Sequence, residues 1–222
     1  MTTEAATQSK LLPEVQEFLK KEIHGAVIGG VEVMASDGGT FDTHDPGSGE
    51  KLATVANLTS EDVEHAVAAA QKAFDESDWA KMPVNERCVF LHRLADEVEK
   101  RKAIIAQIES LDCGKIYEQA VADVENFIET HRYFAELAQN LELRTVIAVK
   151  GHEAAVVRHP WGPCGFIIPW NFPFLLCGWG IAPATAAGNT CVVKPAEDTP
   201  LSTLYVAHLA KEIGYPDGVI NV

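Results

Sequence analysis

Residues 163–197 read PCGFIIPWNFPFLLCGWGIAPATAAGNTCVVKPAE, and the fold follows from how this stretch is punctuated. A short apolar run (Phe166, Ile167, Ile168) is stopped by Pro169, and a Trp-Asn-Phe-Pro turn leads into a helix of small residues ending at Gly188-Asn189. A second apolar run (Cys191, Val192, Val193) closes at Lys194-Pro195. Two short strands of the buried type, separated by a helix, predict a parallel βαβ unit, because parallel strands need a helical crossover and are covered on both faces. In such units ligands gather beyond the carboxyl ends of the strands. Trp170, Asn171, Lys194 and Glu197 all fall there.

Downstream, a helix starting at Thr199 and stopped by Gly214 and Pro216 precedes a third strand over 218–222. The count is βαβαβ, the first half of a doubly wound, Rossmann-like α/β sheet. The sequence stops within that third strand, so a bare edge and an uncovered apolar face are expected, with association or partial unfolding of the chain alone. Upstream, LRTVIAVKG and HEAAVVRH flank Lys150-Gly151 and read as a hairpin over 143–159, marginal unless it pairs with something.

Four helices are expected before it. The first opens on a capping-box spacing, Thr59 to Asp62, with Val63, Ala66, Val67, Ala70 and Phe74 as its apolar stripe. The second spans roughly 85–100 with Phe90, Leu91, Leu94 and Val98. The third carries Ile104, Ile105, Ile108 and Leu111 and ends at Cys113-Gly114, a Gly C-cap. The fourth runs over 117–140 with Tyr117, Val121, Val124, Ile128, His131 and Ala138 as its stripe. Asp112-Cys113-Gly114-Lys115 lacks the upstream glycine of a phosphate loop. Between Ala26 and Ala56 short β segments break at Gly29-Gly30 and around Pro46-Gly47, which are hairpin signals. A short amphipathic helix over 10–23, with Val15, Phe18 and Leu19 on one face, reads most plainly as a surface helix or frayed tail. The chain thus divides into an N-terminal extension (1–25), a hairpin and helical segment (26–142), a hairpin arm (143–159) and the half-sheet (160–222).

Composition narrows the partners. The excess of 32 acidic over 18 basic side chains argues against nucleic acid or an anionic membrane surface. No apolar run is long enough to span a bilayer, and MTTEAATQSK has no signal-peptide pattern. Five cysteines with no Cys-x-x-Cys pair suggest reduced thiols in a cytoplasmic setting, which would leave the Asn57-Leu58-Thr59 sequon idle. The eight histidines show no paired ligand spacing, so no metal site is expected.

Pro-Trp-Asn-Phe-Pro, the Trp-x-x-Ala-Pro-Ala-x-Ala-Ala-Gly-Asn helix and Val-Val-Lys-Pro-Ala-Glu, in that order, resemble the cofactor-binding half of the NAD(P)-dependent aldehyde dehydrogenases. The resemblance runs from about Ile28 to Val222. It implies oxidation of an aldehyde to a carboxylic acid by cysteine attack, hydride transfer to NAD and thioester hydrolysis. It also implies that the 143–159 hairpin is an oligomerisation arm, with a homo-oligomer as the full-length form. By the same transfer Asn171 donates to the oxyanion, and Lys194 and Glu197 bind the adenosine ribose hydroxyls, Glu197 favouring NAD over NADP by repelling a 2′-phosphate. Ile167, Ile168, Pro169 and Trp170 line the cofactor cleft, and Asn126, Phe172, Leu176 and Trp179 face the substrate tunnel.

Each residue has a plainer role beside this one. Asn171 could satisfy turn backbone, Lys194 and Glu197 could be a solvated pair at a helix entrance, and the apolar residues could be core. Gly180 departs from the lysine common in the family after the helix tryptophan. None of Cys88, Cys113, Cys164, Cys177 and Cys191 lies in the family's Gly-Gln-x-Cys context, and all five read as structural. The Gly-Ser-Thr helix start and the Glu-Leu-Gly-Gly base motif also do not occur. The expectation is therefore the N-terminal portion of an aldehyde dehydrogenase, inactive by itself. The alternatives are a non-catalytic module docking on a full-length relative, or a different enzyme using Cys177.

Overall fold

The structure, a computed structural model, describes residues 11–222; the signal-peptide reading of residues 1–10 lies outside them. Its centre is a parallel sheet ordered β7-β8-β9, formed by Pro163–Ile167, Thr190–Lys194 and Ile220–Asn221. Helix α6 (Pro173–Ala186) crosses from β7 to β8, and α7 (Leu201–Glu212) crosses from β8 to β9. The alternation along β8 assigns its two faces. Cys191 and Val193 join the main core with Phe174, Cys177 and Ile181 of α6, whereas Val192 packs with Ala66 and Ala69. Those alanines belong to α2 (Ser60–Glu76), which covers the opposite face, and Thr190 Oγ1 donates to the carbonyl of Ala70 there at 3.0 Å.

The third strand is not bare. The N-terminal hairpin of β1 (Ala26–Ile28) and β2 (Val31–Val33) turns through Gly29 and Gly30, both at positive φ, as a two-residue hairpin requires. Val27 and Val222 exchange both backbone hydrogen bonds at 2.8 and 2.9 Å, the mark of an antiparallel pair. Asn221 fixes this junction, accepting from Gly29 N–H at 2.9 Å while its amide donates to the carbonyls of Cys191 and Gly218. The expected bare edge and uncovered face at β9 are therefore corrected. Among the described residues β7 is an open edge, where Ile167 is 86% exposed.

A second hairpin, β3 (Thr40–His44) with β4 (Lys51–Ala56), precedes α2. The capping box forms as read: Thr59 Oγ1 accepts from Asp62 N–H and Asp62 accepts from Thr59 N–H at 2.8 Å. The stripe of α2 is displaced, however. Ala66, Ala70 and Ala73 are buried while Val63 and Val67 are exposed, because close approach to the sheet selects the small side chains.

After a 3₁₀ turn at Trp79–Lys81 come α3 (Val84–Lys100), α4 (Lys102–Cys113, with Gly114 as a left-handed C-cap) and α5 (Tyr117–Gln139). Their apolar faces meet α6 through Leu91, Leu94, Ile105, Ile108, Val124 and Phe127, all fully buried. Tyr117, placed on the buried stripe of α5 by periodicity, is exposed. Helix α1 is shorter than expected, Pro13–Leu19, and it is not a frayed tail. Val15 is fully buried and Leu12 N–H donates to Gln107 Oε1 at 2.8 Å, which docks α1 on α4. The antiparallel hairpin of β5 (Arg144–Val149) and β6 (His152–Val157) stands out from this body with no residue buried.

Candidate cofactor and oxyanion site

The carboxyl ends of β7 and β8 are register partners, Ile167 beside Lys194, and Ile168 N–H donates to the Lys194 carbonyl at 2.9 Å. The segments that leave the sheet there, 169–171 and 195–197, therefore start side by side. Pro169, Trp170 and Asn171 are exposed, as are Lys194 and Glu197. The two isoleucines separate: Ile167 is open to solvent, whereas Ile168 is 5% exposed and belongs to the core. A cleft-lining role for the Ile168 side chain is thus corrected, since successive residues of an extended segment face opposite ways.

Lys194 Nζ and Glu197 Oε2 lie 2.7 Å apart, and the lysine's hydrogen bond holds the Glu197 carboxyl below its ordinary range. Both side chains are more than half exposed, and such pairs contribute about 0–1 kcal/mol. Stability therefore does not account for the pair. What it offers is a donor and an acceptor next to each other, a combination that suits two neighbouring hydroxyls.

Asn171 sits on a bend between β7 and α6. Its side chain makes no hydrogen bond to any described residue, so it does not serve the turn backbone, and its amide is free to donate outward. The bend itself is anchored by Pro173 at the first turn of α6 and by Leu176 N–H donating to the Phe172 carbonyl at 3.0 Å.

The four residues assigned to a tunnel divide. Asn126 and Trp179 line one groove of about 530 Å³ between α5 and α6, joined by Trp179 Nε1–H donating to Asn126 Oδ1 at 2.8 Å. Phe172 and Leu176 are half-buried and lie outside that lining. Gly180 also has a local reason: a Cβ there would stand 2.7 Å from the Phe166 ring. Phe166 fills the space in which a lysine stem would start.

Burial holds all five thiols above their ordinary values. Burial pushes the Cys177 thiol up to about 12 and the Cys113 thiol up to about 11. It raises Cys88 and Cys164 as well, and Cys191 well above its ordinary value. Protonated thiols are poor nucleophiles, which counts against an enzyme built on Cys177.

Near the site, Asp112 and Lys115 were named from sequence only to set aside a phosphate loop, and Glu109 and Asp123 were not named. Lys115 Nζ lies 3.0 Å from Glu109 Oε1 and 2.5 Å from Asp123 Oδ2. Asp112 accepts from Leu201 N–H at 2.8 Å, capping α7, and pairs with Thr43 Oγ1 at 3.0 Å. The signal was available in the apolar neighbours of Glu109 and Asp112 on α4, whose stripe sets both on its buried side.

Burial pushes the Asp112 carboxyl up to about 8, against the lowering effect of its hydrogen bonds. A raised folded-state value means that the contribution is complete below about 4 and is lost as pH rises towards about 8. The Asp112→Asn protein keeps an acceptor for Leu201 N–H without the titrating proton, and its amide can donate to Thr43 Oγ1 where the carboxyl accepts from it. Between pH 5 and 7 the unfolding free energy of the wild type should fall relative to the variant by about 1 kcal/mol per unit. Denaturant titrations across that range check this, and parallel curves would contradict it.

A parallel sheet covered by helices on both faces, with polar groups gathered beyond the ends of its first two strands, places the chain in the mixed α/β class that binds ligands at strand termini. Within that class, residues 33–222 match the aldehyde dehydrogenase family, and the chain belongs to it. It is 46% identical over 219 residues to the mitochondrial benzaldehyde dehydrogenase of Antirrhinum majus, covering 98% of this chain and 40% of that protein. It is 45% identical over 191 residues to retinal dehydrogenase 2 of Homo sapiens, covering 85% and 37%. The NAD+ complex of an aldehyde dehydrogenase from Bacillus cereus superposes with a TM-score of 0.92 at 40% identity, covering 96% of this chain and 43% of that one. The chain thus spans about 40% of the length of the relatives it matches.

Proposed function

We propose that this chain is the cofactor-side portion of an NAD-dependent aldehyde dehydrogenase, contributing the adenosine-ribose site and one oxyanion donor. The observation that carries the reading is that the segments bearing Asn171 and Glu197 leave the paired ends of β7 and β8 side by side, with Lys194 at the end of β8. Lys194 as donor and Glu197 as acceptor would hold the adenosine ribose hydroxyls, with Trp170 and Pro169 on the adjoining segment. NAD, when bound, supplies the hydride acceptor. Asn171 donates its amide N–H to the oxygen that gains charge when a thiolate adds to the aldehyde carbonyl. Asn126 and Trp179 shape the approach of the substrate, and Phe172 and Leu176 back the bend. The nucleophile and the base come from parts of the fold that this chain does not supply. A structural relative that carries NAD+ supports the cofactor assignment.

The five unpaired thiols fit a reducing compartment such as the cytoplasm. A homo-oligomer is supported by the β5–β6 hairpin, which exposes Val146, Ile147, Val149, Val156 and Val157. The experiment is a comparison of NADH formation by the 222-residue chain with that of the chain joined to the C-terminal remainder of a relative. No NADH is expected from the chain with aliphatic or aromatic aldehydes, and turnover is expected from the joined protein. Turnover by the chain alone, abolished by Asn171→Ala, would overturn the reading.

A further inference from the structure

A buried ionic cluster lies beneath the bend that carries Asn171, and nothing above assigns it a task. The Lys115 side chain is 7% exposed and those of Glu109 and Asp123 are 0% and 6% exposed. Glu109 also accepts from Ser202 Oγ at 2.6 Å and from Phe174 N–H at 3.4 Å, so one carboxylate joins the first turns of α7 and α6. Burial raises the Glu109 carboxyl against the opposing pull of Lys115. Burial would lower the Lys115 ammonium, but its two carboxylate partners outweigh that and hold it above its ordinary value. Buried ion clusters of this kind are weak sources of stability, because packed apolar residues often serve as well. What they can fix is geometry.

The geometry here points at Phe172. Lys115 Nζ stands 4.8 Å from the centroid of its ring, within cation–π range. Phe172 directly follows Asn171 and occupies the N-cap of α6 without making a side-chain cap. Helix α6 carries no cation of its own, Gly180 included, so the charge under the bend comes from the connection between α4 and α5. We propose that Lys115 is a positioning residue: clamped by Glu109 and Asp123, it holds the Phe172 ring and so fixes the backbone from which Asn171 presents its amide. Its relevance to catalysis rests on the oxyanion role of Asn171 given above, whereas the clamp itself does not.

The test measures the backbone amide order parameter at Asn171 in the ¹⁵N-labelled chain. In Lys115→Met and in Phe172→Leu the value is expected to fall from about 0.85 to below about 0.6, while Ile181 and Val193 stay rigid. Phe172→Tyr keeps the ring face and should keep Asn171 ordered. A merely structural lysine would lower the melting temperature and leave Asn171 as rigid as before. An unchanged order parameter in folded Lys115→Met, or in Phe172→Leu, overturns the proposal. Should Lys115→Met fail to fold, Phe172→Leu decides, since it leaves the ion pairs in place. No turnover is needed for these readings. A clamped Asn171 that proved dispensable in the joined enzyme would sink the oxyanion role and leave the clamp standing.

Discussion

Replacing Asn171 by Ala in the joined enzyme is expected to lower kcat by about 10²–10³-fold, or ~2.7–4 kcal/mol of transition-state stabilisation. The exposed side chain makes no hydrogen bond to any described residue, so its removal leaves none of them unpaired. Stability should therefore be unchanged within about 0.5 kcal/mol. That separation is the useful part of the prediction. An oxyanion donor acts on kcat with little effect on the binding of NAD, whereas a turn-stabilising Asn would act on the melting temperature. Steady-state kinetics and thermal melts on the same preparation distinguish them. A loss of stability with kcat intact would show that Asn171 serves the bend.

The opposite signature is expected at Trp79. It is fully buried, with Phe90 and Tyr215 at ring distances of 5.7 and 5.4 Å, and its Nε1–H donates to the Asn189 carbonyl at 2.9 Å. Asn189 in turn accepts from Trp161 and Gly162 N–H at 2.6 and 3.1 Å, which sets the start of β7 beside the start of β8. Truncating Trp79 to Ala removes a large apolar side chain and the donor on which this entry depends. The cost is about 3–5 kcal/mol from the cavity and lost transfer energy. Trp79→Phe should fall well short of that, because most of the ring packing survives. Urea denaturation with an unchanged m-value would measure both. A Trp79→Ala cost below about 1 kcal/mol would mean that this corner can collapse around the gap.

Much of the sheet was legible because its boundaries are chemical. Pro169 and Pro195 stop the strands, Gly188-Asn189 ends the crossover helix, and the apolar runs between them are too short to be helices. The Thr59–Asp62 capping box was legible for the same reason, since local hydrogen bonds dictate local sequence. What was not legible depends on long-range packing. Val27 pairs with Val222 across almost the whole chain, and neither neighbourhood advertises the other. Periodicity placed Val63 and Val67 inward, but closeness to β8 gave the buried face to Ala66, Ala70 and Ala73. Phe127, absent from the expected stripe of α5, stacks on Phe174 at 4.4 Å and on His131 at 4.1 Å at the centre of the α5–α6 contact. Lys115 was weighed only as part of a phosphate loop, which the missing upstream glycine ruled against, and only the fold shows two carboxylates closing on it.

The assignment of Lys194 and Glu197 to the adenosine ribose is the centre of this account, and their mutual bond makes it testable. Because the pair is exposed, Glu197→Gln should leave the melting temperature unchanged, so any effect on cofactor affinity is read cleanly. Charge-assisted hydrogen bonds contribute roughly 1.5–3 kcal/mol, so the change should weaken NAD by about one to two powers of ten. NADP should weaken less, or bind better, because the carboxylate that repels a 2′-phosphate is gone. Lys194→Ala should weaken both cofactors. The direct measurement is the NAD to NADP affinity ratio of the joined protein, with and without Glu197→Gln. The account predicts that the ratio falls, and an unchanged ratio would make Glu197 no more than a charge on the loop ahead of α7.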